Sequence, residues 1–340
     1  MPVRPVSSRD VRVLYQDMLA RPPFRDERKH WMGKPFDDLV AHLISGVDVW
    51  DAWLEEQYYY FLLVDNFRPL SERVLALPQD LAAGRIGVRE ALHRVALCAS
   101  FDRRNPGADT FVTVVMEQLL GITVQKEKRQ LAAGRNLYDG VSDQFLGEQG
   151  NSQSDVVRIA IEDKRALTHF VEREYRRLLK AEPERRDVVE WAGALQTDPK
   201  SFGSLLKGWL NSEHYGVRLE TRFPVSNRLF VRSLFVDLAG RLPEDEESER
   251  MRNALDGLAD PGPLRSILAR LMLDSGKTQI PKRGELGDEA QWIRGLFERL
   301  LGRSAESAEL AVFVSALDDP ACRPETVVYA IVSHPEYPTH

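Results

Sequence analysis

FVRSLFVDLAGRLP, residues 230–243, contains the pattern that decides the fold of this chain. Its apolar residues recur three to five positions apart, which places them on one face of an amphipathic helix. Gly240 follows at the C′ position, where only glycine enters the left-handed region at little cost. Pro243 then prevents the helix from continuing and is suited to open the next one. The stretch therefore predicts a short helix, a sharp stop and a second helix.

The same pattern recurs along the 340 residues. The other copies are DVRVLYQDMLARPP, EQYYYFLLVDNFRP, FVTVVMEQLLGITV, FVEREYRRLLKAEP and WIRGLFERLLGRSA, beginning at residues 10, 56, 111, 170 and 292. Successive starts lie about 56 residues apart on average, and self-similarity at a regular spacing is the sequence signature of a repeat architecture. A large apolar residue recurs five and eight positions after each start, and we expect both sets to be buried. They are Tyr15, Phe61, Met116, Tyr175, Phe235 and Phe297, and Met18, Val64, Leu119, Leu178, Leu238 and Leu300.

The residues of the stop recur as well. Glycine stands at the predicted C′ position in three copies, and arginine lies beside the stop in three, where a cation favours the negative end of the helix dipole. These residues are Gly121, Gly240, Gly302, Arg21, Arg241 and Arg303. A large apolar residue 21 positions from the start, such as Trp31 or Trp191, marks the second helix, and a third helix follows a short linker.

These repeats predict an all-α fold of tandem three-helix modules in an extended or curved array. The predicted modules are 1–54, 55–104, 105–160, 161–220, 221–278 and 279–340. The second is degenerate and carries an aromatic cluster, and the third contains a Gly/Ser/Gln-rich linker at 139–155. The alternative is that any amphipathic helix ending in glycine looks similar, without a true repeat.

Composition narrows the function classes. The formal charge is −6, whereas a general nucleic-acid binder concentrates basic residues on one face. No apolar run approaches the length of a transmembrane helix, and the first residues lack the apolar stretch of a signal peptide, so we expect a cytoplasmic protein. Cys98 and Cys322 are isolated, which disfavours structural zinc and covalent haem. We therefore expect no metal and no cofactor.

The modules resemble the phycobilisome-linker-like superfamily and related bacterial domains. The resemblance is carried by Leu301-Gly302-Arg303, by Trp191, by the end Ser333-His334-Pro335-Glu336-Tyr337, and by LAAGRIGVREALHRVALCASF (81–101) with Gly84 in its turn. It implies a helical fold and a scaffolding or adaptor role, and it implies no catalytic residues. The linkers tend to be basic and to form one compact domain, whereas this chain is acidic and has several modules. Binding to phycobiliproteins is therefore not carried over.

An aromatic cluster is the best candidate for partner binding. It consists of Trp50, Trp53, Tyr58, Tyr59, Tyr60 and Phe61. A helix with aromatic residues on all sides cannot bury every one within a small module, and Tyr and Trp dominate interface hot spots. The alternative is that these residues pack between the first two modules.

No sequence motif indicates a particular catalytic reaction. The chain has no phosphate-binding glycine motif, and Ser212, Glu213 and His214 are too close in sequence to converge as a triad. The prediction is a non-enzymatic structural scaffold or adaptor in a larger bacterial assembly, binding protein partners or a second copy of itself. Two alternatives remain: a regulatory protein that binds a small molecule between helices, and an enzyme with a site built from dispersed inter-module residues.

Overall fold

The computed structural model describes residues 4–62 and 71–339. Helices dominate these residues, so the predicted all-α class is confirmed. The helices are α1 (Ser8–Leu19), α2 (Arg25–Trp31), α3 (Phe36–Ser45), α4 (Val47–Leu62), α5 (Glu72–Leu75), α6 (Leu77–Ala82), α7 (Val88–Ala96), α8 (Ala99–Arg104), α9 (Ala108–Val114), α10 (Lys128–Tyr138), α11 (Gln153–Glu162), α12 (Lys164–Leu179), α13 (Arg185–Thr197), α14 (Ser201–Leu210), α15 (Glu213–Glu220), α16 (Asn227–Ala239), α17 (Asp245–Asp256), α18 (Gly262–Asp274), α19 (Glu289–Leu300), α20 (Ser307–Asp318) and α21 (Pro324–Val332).

Three short helical segments complete the described parts: a π-helix at Val115–Leu119 and 3₁₀ turns at Val124–Lys126 and Arg283–Glu285. Within these parts, none of the helices has both the length and the apolar character that crossing a bilayer requires.

One helix–turn–helix element recurs four times, as α1–α2, α12–α13, α16–α17 and α19–α20. One or two residues after the first helix, the chain enters the left-handed region in each, with φ of 50° at Ala20, 54° at Lys180, 68° at Gly240 and 66° at Gly302. Gly121, in the third copy, has a φ of 65°. The predicted glycine stops are therefore confirmed, and two copies make the same turn without glycine. A shared three-helix module, including the third helices, stays a prediction.

An ion pair closes three of these turns, and we call it the Arg–Glu clasp. Arg303 donates two guanidinium N–H groups to Glu309, at 2.7 and 2.8 Å, and lies 5.2 Å above the Phe297 ring. Glu309 also accepts the backbone N–H of Glu306 at 2.8 Å, which caps α20. The other clasps are Arg21–Glu27 over Tyr15 and Arg241–Glu247 over Phe235. Each arginine therefore joins the end of one helix to the start of the next.

The two apolar sets predicted from the repeat are buried wherever they are described. The members at the fifth position are at most 4% exposed, and those at the eighth at most 5%. Val64, and with it the end of the second copy, lies outside the described residues. The repeat therefore identifies core positions correctly in every copy that can be compared.

Two compact units divide the chain: unit 1 is Met1–Leu39 with Val217–His340, and unit 2 is Val40–Gly216. The six predicted modules are a finer division that these units do not test. The modules stay a prediction, although the predicted boundary 54/55 falls inside α4 and 160/161 falls inside α11. The burial of Trp50, Trp53 and Leu54 explains the first, since their apolar faces continue the helix across the predicted border.

A buried charge network joins the distant parts of unit 1. Arg12 on α1 donates to both carboxylate oxygens of Asp237 on α16, at 3.3 and 2.9 Å, and to the backbone carbonyl of Arg299 at 2.9 Å. The Tyr337 hydroxyl donates to Asp237 at 3.1 Å. Burial and the Asp237 charge raise the pKa of Tyr337 well above its usual value, so this hydroxyl stays protonated. The network fastens α1 to helices more than 200 residues away.

The predicted linker at 139–155 is folded, which corrects its interpretation as a loop. Strands β1 (Asp143–Phe145) and β2 (Glu148–Gly150) form an antiparallel hairpin. Its two turn residues, Leu146 and Gly147, both have positive φ, as a type I′ turn requires. Phe145 is fully buried and anchors the hairpin. Strands of three residues are too short to show an alternating pattern in sequence.

We expect Asp237→Ala to destabilise unit 1 strongly, because it leaves the buried Arg12 charge without its partner. Breaking a buried pair costs about 3–5 kcal/mol, whereas an exposed pair is worth about 0–1 kcal/mol. Asp274→Ala is the matched control, since Asp274 pairs with Arg270 and its side chain is 46% exposed. Urea unfolding followed by circular dichroism measures both. Equal losses in the two variants would contradict a special role for the network.

We expect the Arg303–Glu309 clasp to stabilise the fold at neutral pH and to fail in acid. The hydrogen bonds from Arg303 lower the pKa of Glu309 to about 2, against an ordinary value of 4.5. A carboxylate with a lowered pKa stabilises the fold above its ordinary value, and this contribution is lost as pH falls from there toward about 2. The stability difference between wild type and Glu309→Gln should therefore shrink over that range in urea titrations. Glu220→Gln, at an exposed position of α15, is the control, and a difference independent of pH would refute the assignment.

Candidate functional site

A groove of about 810 Å³ lies in unit 2, between α7, the end of α11, α12 and α13. Its apolar floor includes Leu167, Val188 and Ala192, and Val189 beside them is 62% exposed. We call this feature the unit 2 groove. An exposed valine beside a concave apolar floor is the kind of surface that binds a partner or a ligand.

The helix start at Asp163 positions one wall. Asp163 caps α12 by accepting the backbone N–H of Arg165 at 2.8 Å, and it also accepts the Arg165 guanidinium. Burial opposes ionisation of Asp163, but these hydrogen bonds outweigh it and lower its pKa. Asp163 is therefore charged and already satisfied, and Arg165 adds little free charge to the rim.

Three other cations determine the charge of the rim. Arg89, Lys164 and Arg185 line the groove, and none of them forms an ion pair with a carboxylate in the described parts of the chain. Arg176 also lines it but pairs with Glu172 and Glu182. The rim therefore carries an excess of positive charge over an apolar floor, which suits a ligand that is both acidic and apolar.

Arg185 is the first residue of α13, where a cation opposes the helix dipole. Arg25 holds the same position in α2, and the first turn of α13 also contains Asp187, so this placement alone does not mark a site. The residues that line the groove come from several helices between Arg89 and Gln196. No single stretch of sequence therefore identifies it.

A small cavity lies at the inner end of the groove and shares Arg89, Ile161 and Leu167 with it. Its volume of about 10 Å³ has room for about one water molecule. His169 and Gln118 line it. Burial, and then the charges of Arg173 and Arg176, lower the pKa of His169 to about 4, so its ring is neutral at neutral pH.

The aromatic cluster lies largely inside unit 2. Trp50, Trp53, Tyr58 and Phe61 are at most 5% exposed, and Tyr59 and Tyr60 are half-buried. Trp50 and Trp53 pack edge-on or tilted against Phe202. Burial within the chain is the alternative that the sequence left open, although here the residues pack within one unit rather than between two modules. Partner binding by Tyr59 and Tyr60 stays a prediction.

The chain's own Arg173 occupies part of this cluster. Its guanidinium lies 4.2 Å from the centre of the Tyr60 ring and within 6.0 Å of Phe61 and Phe170. Arg173 also pairs with the buried carboxylate of Glu174, as does Arg177. Burial opposes ionisation of Glu174, but the two arginines outweigh it and lower its pKa. These aromatic rings therefore pack against an arginine of the same chain.

The remaining sequence motifs have structural surroundings. Trp31 is 7% exposed, and Trp191 stacks on Tyr175 at 5.5 Å. Gly84 has a φ of 65° and lies against the aliphatic part of Lys200. His214 bonds the Tyr175 hydroxyl at 2.9 Å rather than Ser212. Cys98 is buried, which raises the pKa of its thiol.

No group of three or more metal-binding side chains occurs among residues 4–62 and 71–339. A comparison of the chain with protein-family models, with curated proteins and with solved structures finds no match. The resemblance to phycobilisome-linker-like modules therefore stays a prediction, and the function must be argued from the site itself.

We expect two helical glycines to respond oppositely to alanine. A Cβ at Gly193, on the groove side of α13, would meet nothing within 4 Å, so Gly193→Ala should stabilise the protein by about 0.4–1 kcal/mol. A Cβ at Gly134 in α10 would lie 2.5 Å from Val112 Cγ1, so Gly134→Ala should destabilise it by about 1–3 kcal/mol. Thermal unfolding measures both. A loss of stability in Gly193→Ala would mean that this face is packed rather than open.

Proposed function

We propose that this protein is a non-enzymatic adaptor that binds an acidic segment of a protein partner in the unit 2 groove. The observation that carries the proposal is the combination of three cations without ion pairs, Arg89, Lys164 and Arg185, with an apolar floor beside Val189. The larger bacterial assembly and the cytoplasmic location predicted from the sequence belong to the same proposal.

The apolar floor and the cationic rim of the groove together match a known mode of recognition. An amphipathic helix binds a groove by laying its apolar face on the floor, which supplies most of the affinity. Charges at the rim then steer the approach and fix the orientation. A segment with acidic residues flanking one or two apolar residues satisfies both requirements.

The polar groups of the groove favour binding over catalysis. Thr168, a hydroxyl-bearing residue of its lining, donates to the backbone carbonyl of Lys164 at 2.9 Å rather than to a base. The carboxylates of Asp163 and Glu172 already accept arginine N–H groups or pair with arginine. These groups are therefore committed to the fold, and the rim cations remain for a ligand.

A second candidate is a small amphiphilic anion. The groove volume of about 810 Å³ falls within the range of about 300–1,000 Å³ that is typical of small-molecule sites. This alternative uses the same floor and the same cations, so a test must separate the two ligands.

Selection from a random peptide display library tests the adaptor. We expect enriched peptides to carry acidic residues beside one or two apolar residues, and their affinity to fall as salt is raised. Gly193→Trp should abolish binding because it fills the groove, and Arg185→Glu should weaken it about tenfold. Gly208→Trp is the matched control, since Gly208 is also helical, exposed and open but lies outside the groove.

The outcomes separate the candidates. Binding of selected peptides that survives in Gly193→Trp would refute the groove as the site. A second outcome is that no peptide is enriched but decanoate binds in titration calorimetry, and that Gly193→Trp abolishes this binding whereas Gly208→Trp does not. In that case the small-molecule candidate replaces the adaptor. If neither ligand binds, both candidates for the groove are wrong.

A further inference from the structure

We infer that the unit 2 groove receives an acidic surface of unit 1 from a second copy of this chain. This surface, which we call the acidic ridge, is Leu242 together with the exposed carboxylates of Asp245, Glu246 and Glu249. The inference rests on the proposed function, because it assigns an occupant to the same groove.

The acidic ridge is exposed and rigid. Leu242 is 42% exposed, in the turn between α16 and α17. The Arg241–Glu247 clasp holds this turn, with two hydrogen bonds of 2.7 and 2.9 Å. A surface that is already ordered loses little conformational entropy on binding, which favours association.

The carboxylates of the ridge are not neutralised by ion pairs within the described parts of the chain. Asp245, Glu246 and Glu249 form no ion pair in the described parts of the chain, and all three are exposed. Asp245 and Glu249 are four positions apart on one helix, where like charges repel and destabilise it. A cationic surface that approaches this face relieves the repulsion.

The groove offers the complementary set. Its three cations without ion pairs match the three carboxylates of the ridge, and the exposed Val189 matches the exposed Leu242. Arg185 is a cation at the positive end of the α13 dipole, which is unfavourable. On the ridge, Asp245 and Glu249 repel each other. Each surface alone therefore holds unfavourable like charges, and docking them together relieves both.

The symmetry of such an interface follows from its two different halves. A groove on one copy that binds a ridge on the next forms a head-to-tail contact, which produces a ring or an open chain of copies. Self-association of this kind fills the groove of each copy except at the end of an open chain, and it repeats the remaining surfaces of the protein at a regular spacing.

Complementary variants test the inference by sedimentation velocity on the full chain. The groove variant is Lys164→Glu with Arg185→Glu, and the ridge variant is Asp245→Lys with Glu246→Lys. At low salt we expect wild type to grow in mass with concentration, and each variant alone to remain monomeric. An equimolar mixture should grow in mass again, because the intact groove matches the intact ridge and the charge-reversed groove matches the charge-reversed ridge. All four substitutions in one chain should restore growth.

Circular dichroism first establishes that each variant keeps the wild-type helix content. A wild type that stays monomeric at every concentration overturns the inference, and so does a ridge variant that associates like wild type. If one of these results is found but wild type still binds the display-selected peptides, only the second copy is wrong and the adaptor stands. If the groove of wild type binds neither the peptides nor a second copy, the proposed function fails as well.

Discussion

The buried pair of Arg12 and Asp237 is the contact on which unit 1 depends. Its two side chains are 6% and 2% exposed, so they are almost fully removed from water. Desolvating both charges is expensive, and the pair is stable only because its hydrogen bonds are satisfied. Tyr337 and the carbonyl of Arg299 supply those bonds, and they come from different parts of the chain. The pair therefore requires these segments to meet in one arrangement.

Local chemistry explains which features were predictable from sequence. The stops at Gly240 and Gly302 and the buried rings of Phe235 and Phe297 depend only on residues within one helix or turn. The Arg–Glu clasp spans six residues and crosses a turn, so helix periodicity alone does not reveal it. The Arg12–Asp237 pair spans 225 residues, and no local pattern specifies it. Predictability falls as the sequence separation of the contact grows.

The two candidate sites illustrate the same limit. The sequence predicts partner binding by the aromatic residues around Trp53 because they are numerous, but composition does not show which face a neighbour covers. Burial by Phe170 and Phe202 decides their role, and both of these residues lie more than 100 positions away. The groove is formed by residues of α7, α11, α12 and α13, so it too depends on contacts between segments that are distant in sequence.

Unit 1 is formed by two stretches that are far apart in the chain, and this affects its folding during synthesis on the ribosome. Unit 2 is continuous in sequence, so all of its residues are available to one another once Gly216 has been added. Helix α1 is made long before Asp237, and at ordinary elongation rates the interval is on the order of ten to forty seconds. During that interval α1 is without the native neighbours that α16 and α19 supply. A chaperone or a temporary contact that shields α1 would therefore favour correct folding of unit 1.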